Sequence, residues 1–164
     1  MTAQCAPPSA EYFRLLPYDL FRDGAPDLGT DEGQKALEPI LAGVDLIVLD
    51  NISTLCSGKE NEAEGWGLIQ SRALQQRRAG RTVLFVHHAG KGGEQRGTSK
   101  REDVMDTVVR LSSPSDYEVE QGARFMVSFT KARGIHGQDV APFEAKLCDG
   151  VWTSSMRRTP TSLS

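Results

Sequence analysis

The sequence predicts an α/β fold: a parallel sheet with flanking helices, extended by an antiparallel hairpin toward its carboxyl end. Three observations carry this. Val44–Asp50 (VDLIVLD) and Leu84–Gly93 (LFVHHAGKGG) are apolar runs that each end in polar residues. A segment with helical spacing joins them, as a right-handed parallel crossover requires. Beyond Ser112 turn clusters separate short alternating segments, the pattern of antiparallel strands.

The elements follow in chain order. Residues 1–11 hold Pro7 and Pro8 without periodicity and read as a frayed lead-in. Tyr12–Leu16 reads as a short strand. Asp31 and Gln34 have capping-box spacing, which predicts a helix over Gly33–Leu41 tightened at Pro39. Val44–Leu49 is almost uninterrupted apolar, the pattern of a strand covered on both faces. Trp66, Ile69, Ala73 and Leu74 lie at helical spacing, so a helix is expected over Ala63–Ala79, closed by Gly80. Thr82–Val86 is the returning strand, followed by a glycine-rich loop over 89–100. Arg101–Asp106 reads as a helical turn and Thr107–Leu111 as a third buried strand. Arg124–Lys131 and Phe143–Leu147 alternate, and Asp149-Gly150 signals a tight hairpin. From Ser154 the chain reads as a disordered tail, which bounds the expected core at 12–153.

Composition narrows the function classes. The 164 residues are 38% hydrophobic and 25% charged, enough apolar content for one buried core. The amino terminus lacks both a basic and an apolar leader region, and no run reaches the roughly 18 apolar residues of a membrane span, so a cytoplasmic protein is expected. Cys5, Cys56 and Cys148 are scattered, which predicts reduced thiols rather than a disulfide framework or metal knuckle. The net charge of −3 conceals an asymmetry: residues 1–64 hold four Lys/Arg against twelve Asp/Glu. From Arg72 to Arg101 the balance reverses, with Glu94 the single acidic residue. A solvated helix face explains Arg72, Arg77 and Arg78 at least as well as a nucleic-acid contact does. The cations crowded among glycines, Lys91, Arg96, Lys100 and Arg101, suit a phosphate backbone, although a solvated connector would look the same.

Strand ends hold the candidate chemistry. Asp50 closes an apolar strand, where a carboxylate can reach a hydrated Mg²⁺ through a water; aspartates at this position also cap turns. His87 and His88 are adjacent and point to opposite faces, a poor metal clamp. His88, at a strand's carboxyl end, can instead hydrogen-bond a phosphate, or it can be an ordinary exposed histidine. Lys131 and Arg133 stand where a strand gives way to Gly134, and a permanently charged Arg suits the charge that develops on a transferring phosphoryl group. No GxxxxGK[ST] occurs in the sequence, and the segment 90–100 is only a near miss.

Taken in order, LIVLDN, LFVHHAGKGG, RGTSKREDVMDTVVRL and FTKARGIHG followed by APFEAKL, the chain resembles the RecA-fold P-loop ATPases of the RepA-type replicative helicase group. The resemblance runs from about Tyr12 to Leu147. It implies that Asp50 is the Walker B residue and holds Mg²⁺ via water, that Asp50, Asn51 and His88 face ATP, and that His88 is the sensor. It implies that Lys91, Arg96, Lys100 and Arg101 face the central channel, with single-stranded DNA as partner, or the nucleotide. Lys131 and Arg133 match the KxR element that reaches into the ATP site of the adjacent subunit in a homo-oligomeric ring, a hexamer in the family. The Walker A loop and catalytic glutamate of that family are expected before residue 1. The chain thus resembles a carboxyl-terminal portion of an ATP-dependent DNA helicase of plasmid or mobile-element replication, inactive by itself. Two alternatives stay open: a non-catalytic module that docks on an intact homologue, and a RecA-like regulatory ATPase that does not unwind DNA.

Overall fold

A computed structural model describes residues 9, 11–21, 24–56, 63–88 and 102–156. The chain divides into two compact units, Leu15–Val104 and Met105–Ser164, the latter joined by Met1–Arg14. The architecture is mixed α/β, with a two-stranded parallel sheet and a four-stranded antiparallel one.

In the first unit the chain enters through a 3-10 turn over Tyr18–Leu20, and the expected strand at Tyr12–Leu16 is absent. Its alternation of large residues is local only, because Tyr12 and Leu15 find no partner strand and stay exposed. Helix α1 covers Asp31–Leu37. It starts two residues earlier than the spacing predicted, because Thr30 rather than Asp31 is the cap: the Gly33 N–H donates to Thr30 Oγ1 at 3.1 Å. Gln34 does not reach back to close a capping box; its buried carboxamide donates to Leu28 O at 2.8 Å. Gly33 is required here, since an added Cβ would meet Asp27 O at 2.0 Å. The helix ends ahead of Pro39, which has no N–H to continue the hydrogen-bond ladder, although Glu38 before it keeps helical backbone angles.

Strand β1 (Leu46–Asp50) pairs in parallel with β2 (Thr82–Val86), from Leu46 opposite Thr82 to Asp50 opposite Val86. Between them lie a single helical turn, α2 (Ile52–Leu55), and the crossover helix α3 (Ala63–Arg78). Gly80, at φ 83°, lets the chain turn back into β2, as its position in the sequence suggested. Ile47 and Leu49 of β1 and Val83 and Phe85 of β2 line a cavity of about 50 Å³ with Leu37 of α1 and Ile69 of α3. Both helices therefore cover the same face of the sheet. Within this unit the opposite face carries Leu46, Val48 and Leu84, each about half exposed. That corrects the expectation of two-sided cover: an apolar run permits burial of both faces, but cover requires a second layer, and the described elements of the unit supply one.

Two polar ties fix the helices. The Arg72 guanidinium pairs with Glu38 at 2.5 Å and is mostly buried, so this residue of α3 reaches toward α1 instead of lying on a solvated face. Arg81 donates to the buried Gln76 Oε1 at 2.6 Å and to Val44 O at 3.2 Å, joining the end of α3 to the start of β1.

The second unit is an antiparallel sheet in the order β3 (Thr107–Ser112), β4 (Arg124–Ala132), β5 (Phe143–Cys148) and β6 (Val151–Met156). Thr107–Leu111 was expected as a buried strand of the parallel sheet. It is instead an end strand of the antiparallel one, with Val109 and Leu111 half exposed. Partner choice is a non-local property that an apolar run does not encode. The Asp149-Gly150 turn forms as predicted, with φ of 51° and 80°, the left-handed pair of a two-residue hairpin. Its pairing carries β6 to Met156, so Ser154–Met156, read as tail, is strand. Arg124 binds Glu144 through two hydrogen bonds of 2.7 and 3.0 Å and also meets Asp116, clamping the 116–122 turn to the sheet. These carboxylates raise the pKa of Arg124, and it stays charged at any working pH.

Candidate functional site

Parallel, in-register pairing has one geometric consequence that matters for chemistry. Both strands of the first unit end at the same edge, with Asp50 opposite Val86 and His87-His88 immediately beyond. Ligands of open α/β sheets bind outside this carboxyl edge. The Asp50 carboxylate is exposed there, and so is His88, while His87 is half-buried. The Asp50–Asn51 peptide bond is cis.

Asn51 begins α2. Its side-chain oxygen accepts the Thr54 N–H at 3.1 Å, and Thr54 Oγ1 donates to Asn51 O at 3.0 Å. The carboxamide oxygen is thus engaged as a helix cap, which leaves the amide NH₂ as the group that can face a ligand. Asn ahead of Ile-Ser-Thr-Leu is a cap signal legible in sequence, a role beyond the contact with ATP expected of Asn51. The end of α2 is held by Leu28, whose N–H donates to Leu55 O at 2.9 Å. Cys56, next in the chain, is buried, as a structural thiol would be. Behind the edge, Trp66 of α3 meets Phe85 of β2 edge-on, with ring centroids 5.9 Å apart at 61°.

A lone exposed carboxylate at the mouth of a strand suits Mg²⁺, which keeps much of its hydration shell and accepts a ligand through water. Asp50 fits that role by its donor chemistry. Among the described residues there is no cluster of three or more His, Cys, Asp or Glu side chains that could hold a metal by themselves.

Lys131 and Arg133 belong to the second unit, at the end of β4. Lys131 pairs with Val108, and the Arg133 N–H donates to Asp106 O at 2.7 Å, so both side chains leave a hydrogen-bonded sheet end. Lys131 is half-buried and Arg133 exposed. Lys91, Arg96, Lys100 and Arg101 lie outside the described residues. The structure therefore brings Asp50, Asn51 and His88 to one edge of one unit, and Lys131 and Arg133 to one end of a sheet in the other.

No helix among the described residues is long and apolar enough to cross a membrane. No curated protein matches the chain. A family model described as an AAA domain matches residues 3–94, a span that takes in β1, α3, β2 and His88 and stops before Lys131 and Arg133. More than half of the chain is matched, the strand edge that carries Asp50 and His88 falls inside the match, and the chain belongs to the AAA domain family of ATPases.

Proposed function

We propose that this chain provides the Walker B and sensor edge, and the in-trans finger, of a RecA-like, RepA-type ATP-dependent DNA helicase that acts in plasmid or mobile-element replication in the cytoplasm. The observation that carries the reading is the in-register parallel pair, which sets Asp50 and His88 at one carboxyl edge within the residues matched by the AAA domain. Asp50 holds the hydrated Mg²⁺, and the Asn51 amide and His88 contact the nucleotide. When bound, Mg²⁺ neutralises charge on the β- and γ-phosphates. Lys131 and Arg133 extend to the site of the next copy in a ring, a hexamer in this reading. The loop cations Lys91, Arg96, Lys100 and Arg101 hold single-stranded DNA.

By itself the chain does not turn ATP over. Backbone amides of a P-loop and its lysine supply most phosphate contacts, and the sequence holds no GxxxxGK[ST]. Titration with a fluorescent ATP analogue is expected to give no saturable binding in the micromolar range. Micromolar, Mg²⁺-dependent affinity that disappears in Asp50→Ala would overturn this and make the 90–100 segment a phosphate cradle.

DNA contact is tested by salt. Single-stranded DNA is expected to bind with an affinity that falls steeply with salt, and neutralising all four loop cations should reduce the log–log slope by about 3, at roughly 0.7 per phosphate contact. An unchanged slope would remove the loop from the DNA interface. Absence of the P-loop motif also favours a second reading, a non-catalytic module that docks on an intact homologue through its Lys131–Arg133 end. Co-assembly without any gain in ATP turnover would select it. Strand-displacement assays separate a helicase from a regulatory ATPase that does not unwind.

A further inference from the structure

The ladder between β3 and β4 changes register once. From Ser112 opposite Met126 to Val109 opposite Phe129 the pairing is regular, and the next pair is Val108 opposite Lys131. Thr130 is thus an extra residue on β4, a β-bulge, with its hydroxyl 3.5 Å from Val108 O. The shifted register persists through Thr107 opposite Ala132 and the Arg133 N–H to Asp106 O bond.

The shift has a consequence for side chains. Directly opposed residues in an antiparallel pair share a face, and neighbours along a strand alternate. Phe125, Val127 and Phe129 lie on the face of Val109 and Leu111. Strict alternation would carry Lys131 onto that apolar face and Arg133 after it. Because Thr130 is skipped, Lys131 opposes Val108 and shares the face of Arg110 and Ser128, while Ala132 takes the apolar side. One unpaired residue therefore turns both cations from the apolar to the polar face.

We infer that the Thr130 bulge is a positioning element, which sets the direction in which Lys131 and Arg133 leave the sheet toward the phosphates of a bound nucleoside triphosphate. This rests on the finger reading proposed above. Bulges beside functional residues re-aim side chains at little cost to the rest of the ladder. Thr130 itself touches no reacting atom in this scheme and acts through its neighbours.

Insertion of one residue between Val108 and Val109 gives Thr130 a partner and turns Lys131 and Arg133 onto the apolar face, whereas deletion of Thr130 removes the bulge but leaves Lys131 opposite Val108 on the polar face. Thr130→Ala keeps the bulge. Register is read by disulfide formation, identified from peptide masses: Val108→Cys with Lys131→Cys should cross-link in the parent chain and in the deletion variant, and a cysteine at the inserted position with Thr130→Cys in the insertion variant. Function is read as stimulation of ATP turnover when the full chain is mixed with a P-loop-bearing AAA partner stripped of its own finger. The parent, Thr130→Ala and the deletion variant should stimulate alike, and the insertion variant should lose stimulation as fully as Arg133→Ala, a loss of about 10³-fold or more. Retained stimulation in an insertion variant whose cross-link shows the altered register, or lost stimulation in a folded deletion variant, alongside an inactive Arg133→Ala, overturns the positioning role and spares the finger. Absence of stimulation by the parent, or no effect of Arg133→Ala, overturns the finger reading and the inference with it. Loss of the sheet in the insertion variant, seen by circular dichroism, would make the register a folding requirement and also overturn the inference.

Discussion

Arg133→Ala is expected to depress ATP turnover by about 10³- to 10⁵-fold in ATP-hydrolysing assemblies that contain this chain, the range over which an arginine finger acts. Nucleotide affinity should stay nearly unchanged, because an in-trans finger meets charge that develops only in the transition state. DNA binding should also be unaffected, which separates the strand end from the 90–100 loop. Mixed assemblies give the sharper form. A subunit with Arg133→Ala and a subunit with a defective P-loop, each inactive alone, should recover part of the turnover when combined, since some interfaces then pair an intact site with an intact finger. If mixing is verified by mass and no turnover returns, the finger assignment is wrong. Exposure of Arg133 at a hydrogen-bonded sheet end makes this test clean, because truncation there leaves no cavity.

Trp66→Ala is expected to cost about 3–5 kcal/mol of unfolding free energy, the range for removing a buried large aromatic. Trp66 is 6% exposed and Ile69, one turn along, 4%. Its ring meets Phe85 edge-on, so the indole seats the crossover helix on the strand that leads into His87 and His88. Denaturant titration should show a lower midpoint at unchanged slope, as for a loss of packing without loss of cooperativity. Leu68→Ala on the exposed side of the same helix is the control and should change stability by no more than about 0.5 kcal/mol. Equal effects of the two variants would mean that α3 does not seat on β2 through Trp66. In functional assemblies the same variant should weaken turnover through misplacement of His88, with Asp50 still in place on β1.

Local signals suffice where local physics decides. Thr82–Val86 is the strand that its β-branched and aromatic residues predicted, α3 falls one residue short of the expected helix, and the Asp149-Gly150 turn has the backbone its residues prefer. The juxtaposition of Asp50 with His88 was also legible, because two apolar strands joined by a helical crossover run parallel and end at one edge. The cap of α1 lies one residue before the one that spacing predicts, since Thr30 and Asp31 both offer an oxygen and only the backbone turn at Asp27–Thr30 selects between them.

Whatever depended on a distant partner was decided by tertiary structure. Val44–Leu49 and Thr107–Leu111 look alike as apolar runs, yet one is covered on a single face of a parallel pair and the other ends an antiparallel sheet. Hydrophobic pattern states how much surface a strand can bury, and only the assembled layers state what buries it. The sequence by itself determined that Asp50 and His88 end adjacent strands and that Lys131 and Arg133 stand together at the end of another. The face to which those two cations turn was settled by Thr130, where one residue without a partner reverses a period-two alternation that the sequence alone would extend unbroken.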